Sequence, residues 1–171
     1  MVNLEKKYAQ LDPVWDRLRI EAEDAVIAEP GIGGFIHTNI LQHSSFENAL
    51  AHRVASKLAS AEISEQNLRD ICCKAISNDP QVANAARADV MAVVDRDPAC
   101  NRYMQPLLYF KGFLAVQAYR VSNWLWNNSQ RDMAYFFQMR TSEVFGIDIH
   151  AAAKIGKGLM IDHAHSIVIG E

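Results

Sequence analysis

The chain has 171 residues, of which half are apolar and 22% charged, so it can bury a sizeable core and is not a disordered polymer. Seventeen basic against twenty acidic side chains leave a net charge of −3, which argues against a general nucleic-acid binder, since that role needs surplus Lys and Arg to displace counterions from phosphates. No apolar run approaches the roughly 18 residues of a membrane-spanning helix, mean hydropathy is slightly negative, and three cysteines (Cys72, Cys73, Cys100) are too few for a disulfide framework.

From the start to about residue 146 the pattern is helical. Asp12-Pro13 is an opening signal, because Asp can cap orphan amides and Pro at the first turn lacks only an N–H that would go unused. Trp15, Leu18, Ala22, Ala25 and Val26 follow at helical spacing until Glu29-Pro30-Gly31 ends the run. Phe35, Ile36, Ile40 and Leu41 suggest a short second helix. Phe46, Leu50, Val54 and Leu58 mark a third, and Leu68, Ile71, Cys72 and Ile76 a fourth. Asp79-Pro80 repeats the opening signal, and Val82, Ala86, Val90 and Val94 carry a fifth helix toward Asp95, with a break at Arg96-Asp97-Pro98. Two longer helices, about 106–127 and 130–146, hold most of the aromatics, which are read as core or subunit interface. His37, His43 and His52 read as surface residues of amphipathic helices, and Cys72 and Cys73 as packing residues on different helix faces.

After Gly146 the period changes. Ile149, Ile155, Ile161 and Ile167 fall six residues apart, which matches neither a helix nor a plain hairpin. A triangular parallel β-solenoid accounts for it: each face takes one hexapeptide, an aliphatic side chain points inward, and small residues such as Gly156 and Gly158 make the corners. The expected fold is therefore mainly α, with a helical oligomerisation domain over 1–146 and the first coil of a parallel β-helix over 147–171. Three hexapeptides make one coil, and 23 residues remain from Ile149 onward. A single rung cannot bury its own apolar face, so the sequence is expected to be a shortened form of a longer protein, or one whose open end a partner covers.

The residues Arg96-Asp97-Pro98-Ala99, Pro106 to Phe113, Gln117-Ala118-Tyr119-Arg120, Trp124-Leu125-Trp126, Asp148 to Gly156 and Asp162-His163-Ala164 occur in this order. Together they closely resemble bacterial serine O-acetyltransferases of the hexapeptide-repeat acyltransferase family, from about Trp15 to Glu171. The resemblance implies acetyl transfer from acetyl-CoA, a co-substrate rather than a tightly bound cofactor, to L-serine, giving O-acetylserine for cysteine biosynthesis in the cytoplasm. It implies a left-handed β-helix and a hexamer built as a dimer of trimers, with a dimer plausible for the shortened form. It makes His163 the general base, oriented by Asp148, with Asp97 and Asp162 holding the substrate, chiefly through its ammonium group; no metal and no nucleic acid is involved.

The chemistry suits those residue types. A serine hydroxyl needs a proton acceptor as it attacks, and a carboxylate on the far ring nitrogen fixes the tautomer of such a histidine. Asp148 and His163 are 15 residues apart, whereas stacked solenoid positions would be 18 apart, so contact between them needs a bend or another subunit. In the family the β-helix continues for several coils, with a second histidine, an arginine for the substrate carboxylate, most of the acetyl-CoA groove, and a tail that docks on cysteine synthase. None of these lies within the 171 residues, so little or no turnover is expected of this form. Three local readings stand beside the resemblance: Asp97 as a helix cap, His150 in a structural role, and His163-x-His165 as a metal pair that lacks a third ligand. Two rival functions stand beside it: a non-catalytic oligomerisation module and a hexapeptide acyltransferase for another acceptor.

Overall fold

The computed structural model describes residues 12–171. Helix α1 (Pro13–Ala28) begins where Asp12 Oδ1 accepts from Trp15 N at 3.1 Å, with Pro13 in the first turn. Its buried residues Val14, Trp15, Leu18, Ala22 and Ala25 recur at helical spacing, and Glu29 ends it. The second apolar run forms α2 (Gly33–Ile36), which passes into a wider π-type turn over His37–Leu41. Ser45 and Ser64 cap α3 (Phe46–Leu58) and α4 (Glu65–Asn78) through bonds to the amides of Asn48 and Asn67. Asp79 caps α5 (Pro80–Arg96), which reaches one residue beyond the expected stop.

The stretch expected as one helix from about 106 to 127 is two: α6 (Met104–Tyr109) and α7 (Lys111–Asn127). Phe110 between them is extended (φ −96°, ψ 107°). The break has a tertiary cause. Arg53 on α3, itself buried, donates from Nε to Leu107 O (3.2 Å) and from Nη2 to Leu108 O (2.6 Å), satisfying carbonyls that a continuous helix would have bonded to its next turn. At the other end of α6, the buried Glu21 carboxylate accepts from Met104 N at 3.1 Å, where a negative charge suits a helix N-terminus.

Helix α7 is buried around most of its circumference, from Gly112 to Leu125, as befits the central element of a bundle. Helix α8 (Arg131–Phe145) packs antiparallel along it and ends at Gly146, whose φ of +70° is the left-handed conformation that stops helices. From there the chain enters β1 (Ile147–Ile149), makes one turn of a β-helix, and returns as β2 (Ile167–Ile169), parallel to β1. Ile147, Ile149, Ala151, Ala153 and Ala164 join the core of the helices, with Ile155, Ile161 and Ile167 packed against it.

The coil is two residues longer than three hexapeptides. Ile149 pairs with Ile169, not Ile167, and Ile147 with Ile167. The excess accompanies the turn 162–166, exposed except at Ala164, where His163 (φ 44°) and Ser166 (φ 55°) are left-handed. An even shift leaves every strand side chain on its own face, so the six-residue spacing still marks core-facing positions while overstating the regularity of the rung.

Candidate functional site

The four residues expected to form the site lie in three places. His163 is at the tip of the 162–166 turn with its side chain 95% exposed, its Nε2 3.5 Å from Asp162 Oδ1. Asp97 follows the last residue of α5. Its Oδ1 accepts from Ala99 N at 2.8 Å and its carbonyl accepts from Cys100 N, so it caps the turn after the helix. The adjacent Arg96 donates to Gly158 O at 2.8 Å, which fixes this end of α5 against the coil four residues before Asp162. Asp148 lies on β1, where Oδ1 accepts from Gln138 Nε2 at 2.7 Å; Gln138 in turn takes the amide of Ala151 on its own oxygen. Asp148 opens onto a surface groove of about 600 Å³ beside Tyr135, Met139 and Glu143 on α8. Asp162 and His163 are thus brought together, while Asp148 is engaged with Gln138 and not with His163.

His150 packs edge-on against Trp126 and Tyr135, with ring centroids 5.4 and 6.2 Å away, a structural setting. His165 stands 3.3 Å from Lys111 Nζ, so His163 and His165 face different partners, and among the described residues no three His, Cys, Asp or Glu side chains converge as a metal set. The reading of His43 and His52 as surface residues is overturned: both are buried, 5% and 7% exposed, with rings 5.0 Å apart. They sit where the 37–41 turn folds back on α3, and helical periodicity carries no information about that return of the chain. His37 is exposed.

Several residues that hold the coil to the helices carry no motif of their own chemistry. Tyr119, Arg120 and Asn123 on α7 donate to coil carbonyls: Tyr119 Oη to Ala153 O, Arg120 Nη2 to Gly156 O (3.0 Å), and Asn123 Nδ2 to Ala151 O (2.7 Å) and Ala153 O (3.1 Å). Burial pushes the Tyr119 phenol above its usual value, which keeps it a donor. Beneath them Asp89 on α5 is fully buried. Its Oδ2 accepts from Arg120 Nε (3.0 Å), Arg120 Nη2 (2.6 Å) and Gln117 Nε2 (3.0 Å), and its Oδ1 accepts from Leu159 N (2.8 Å). A carboxylate set into the apolar stripe Val82, Ala86, Val90, Val93 is the sequence signal for such a junction.

The described residues thus form a helical bundle whose last helix feeds the start of a parallel β-helix, with an Asp-His turn projecting from it. Residues 14–118 match the family described as "Serine acetyltransferase, N-terminal". The serine acetyltransferase of Escherichia coli (strain K12) is 43% identical over 162 residues, which cover 95% of this chain and 59% of that protein. The serine acetyltransferase of Brucella abortus strain S19, solved in complex with coenzyme A, superposes with a TM-score of 0.91 at 41% identity over 94% of this chain and 64% of that one. The Neisseria gonorrhoeae enzyme, solved in complex with serine, gives 0.87 at 40% over 95% and 72%. The chain belongs to the serine acetyltransferase family, and it spans about three fifths of the length of the E. coli relative.

Proposed function

We propose that the protein is a serine O-acetyltransferase that moves acetyl from acetyl-CoA to the hydroxyl of L-serine, giving O-acetylserine for cysteine biosynthesis. The observation that carries this reading is that likeness to serine acetyltransferases covers about 95% of the chain and so extends past the helical bundle into the coil. The Neisseria structure with serine and the Brucella structure with coenzyme A support the two substrates.

His163 accepts the hydroxyl proton as serine Oγ attacks the thioester carbonyl. The tetrahedral intermediate then expels coenzyme A, whose sulfur takes up a proton. General-base help of this kind is worth about 10²–10⁴-fold. Asp97 and Asp162 provide negative charge for the ammonium group of serine. Asp148 serves His163 once the 162–166 turn closes toward β1, or through a neighbouring subunit's turn. Acetyl-CoA is a co-substrate and no cofactor is tightly held.

The protein works as a homo-oligomer in the cytoplasm, a hexamer when the whole β-helix is present, and engages cysteine synthase through a tail beyond Glu171. Exposed apolar side chains support subunit contacts: Ile20 and Ile27 on α1, Met91 on α5, Tyr135 and Met139 on α8.

The test is thiol release from acetyl-CoA with L-serine, run on the product of the whole reading frame and on residues 1–171. Serine-dependent release by the whole product, with little from the 171-residue chain, is the expected outcome. Release with another acceptor but not with serine would overturn the reading.

A further inference from the structure

We propose that Asp89 and Arg120 are positioning residues for the acceptor site: by holding the coil corner 156–159 against α5 and α7, they fix where Asp162 and His163 are presented. This rests on the acetyl-transfer reading, and it assigns a role to a buried pair far in sequence from the reacting groups.

Residues 160–166 make no backbone-to-backbone hydrogen bond with any described residue; Ala164 is buried and Ile161 lies against Gly112, while Asp162 and His163 themselves are exposed. Beyond those contacts, their place is set by what holds the turn on either side. Downstream, β2 pairs with β1. Upstream, the chain is held at Gly156 O by Arg120, at Gly158 O by Arg96 and at Leu159 N by Asp89. Asp89 and Arg120 are 0% and 7% exposed, and the remaining carboxylate capacity goes to Arg120 and Gln117.

Cohesion of the bundle alone does not call for these groups. Apolar residues of similar volume commonly serve a core as well as a buried ion pair, or better. Gln117 joins the arrangement although its Oε1 is buried without a partner, a penalty that apolar packing would avoid. What apolar packing could not supply is direction. Asp89 receives a coil amide and Arg120 gives to a coil carbonyl, so the register of the corner is set to within a hydrogen bond. Arg96, the residue before Asp97, is bonded to the same corner, so Asp97 and Asp162 share one anchor.

The experiment compares wild type, Asp89→Asn and Arg120→Lys in the whole protein. Arg120→Lys keeps a cation beside Asp89 but cannot span Asp89 and Gly156 O together, so it guards against an Asp89→Asn chain that fails to fold. In whichever variant keeps the wild-type circular dichroism spectrum, amide hydrogen exchange at Leu159 and at Ile167–Ile169 of β2 is expected to rise about tenfold or more, with α8 unchanged. The kcat for L-serine falls about 10²-fold, as a reacting group displaced by an ångström would make it, while KM for acetyl-CoA stays within about twofold. A purely structural pair would lower the melting temperature and leave exchange at Ile167–Ile169 and kcat at wild-type values; that result in a folded variant overturns the proposal. Should the wild-type protein not acetylate serine, the acetyl-transfer reading fails, and unchanged exchange in the 171-residue chain overturns the anchoring role separately.

Discussion

The main chain at Ile161 passes so close to Gly112 that a Cβ on Gly112 would stand 2.0 Å from the Ile161 carbonyl oxygen. Glycine inside a helix is ordinarily a weakness, about 1 kcal/mol worse than alanine. Here the missing side chain lets the first turn of α7 lie directly under the coil, one residue before Asp162. Gly112→Ala should therefore destabilise the chain by about 1–3 kcal/mol, as overpacking does, despite the better helix propensity. Gly34 on α2, with no heavy atom within 4 Å of its would-be Cβ, is the internal control, and Gly34→Ala should be neutral or mildly stabilising. Urea unfolding of the two variants checks this; a Gly112→Ala chain as stable as wild type would mean that the coil does not rest on α7.

Arg53 gives a second handle on the fold. Its guanidinium is buried at the break between α6 and α7, and burial pulls its pKa below the ordinary arginine value. Arg53→Met keeps much of the stem packing and strips the donors from Leu107 O and Leu108 O. The expected loss is about 2–3 kcal/mol, the scale for buried hydrogen bonds to a charged group. Chemical denaturation measures it, and a loss no larger than that of an exposed arginine variant such as Arg131→Met would show that the carbonyls find other partners.

What could be read from the sequence follows from how local each feature is. Asp12-Pro13 and Asp79-Pro80 announce helix starts because cap and proline act within three residues of one another. The six-residue isoleucine spacing announces a rung because each face of a solenoid repeats the same demand on one position. The split at Phe110 depends on Arg53, which reaches Leu107 54 residues further along the chain, and the pairing of Ile149 with Ile169 on how far the 162–166 turn bulges; neither leaves a periodic trace. The burial of His43 and His52 was likewise out of reach, since it depends on the 37–41 turn and α4 closing over them, which are tertiary contacts. Asp89 was legible in principle, being a carboxylate inside an apolar stripe. Of the site itself, the adjacency of Asp162 and His163 needs only neighbouring positions, whereas the engagement of Asp148 by Gln138 needs the packing of α8 on β1.

On the acetyl-transfer reading, His163→Ala in the whole protein should lower kcat with L-serine by about 10²–10⁴-fold while leaving the melting temperature nearly unchanged, because a side chain that is 95% exposed holds nothing in place. Gln138→Leu is the informative companion. It frees Asp148 of its hydrogen bond, and if Asp148 must turn to His163 during catalysis, the acidic limb of the pH–rate profile should move while substrate KM values hold. Steady-state kinetics from pH 5.5 to 9 would read both. Wild-type kcat in His163→Ala would remove this histidine from the mechanism.

The His43–His52 pair makes the stability of the helical domain pH-dependent, with a definite sign. Both imidazoles are held below their usual pKa, first by burial. His43 also faces His52 and Arg69, which push its pKa down, and its Nε2 donates to Thr38 O (3.1 Å), which pulls it up. His52 faces Glu65, which pulls its pKa upward from 3.0 Å, and Arg69 and Arg53, which push it down. The unfolded chain titrates each near the ordinary 6.5, so below that pH it binds protons that the folded chain refuses. The contribution to stability is present above pH 6.5 and is lost as pH falls from there toward the lower folded-state values. His52→Gln removes one titrating partner, and its destabilisation relative to wild type should shrink between pH 7.5 and pH 5.5. His37→Gln, at an exposed position, should show no such trend. Urea unfolding of the three chains at both pH values decides it, and a His52→Gln difference that is constant with pH would mean that both imidazoles titrate alike in the folded and unfolded chain.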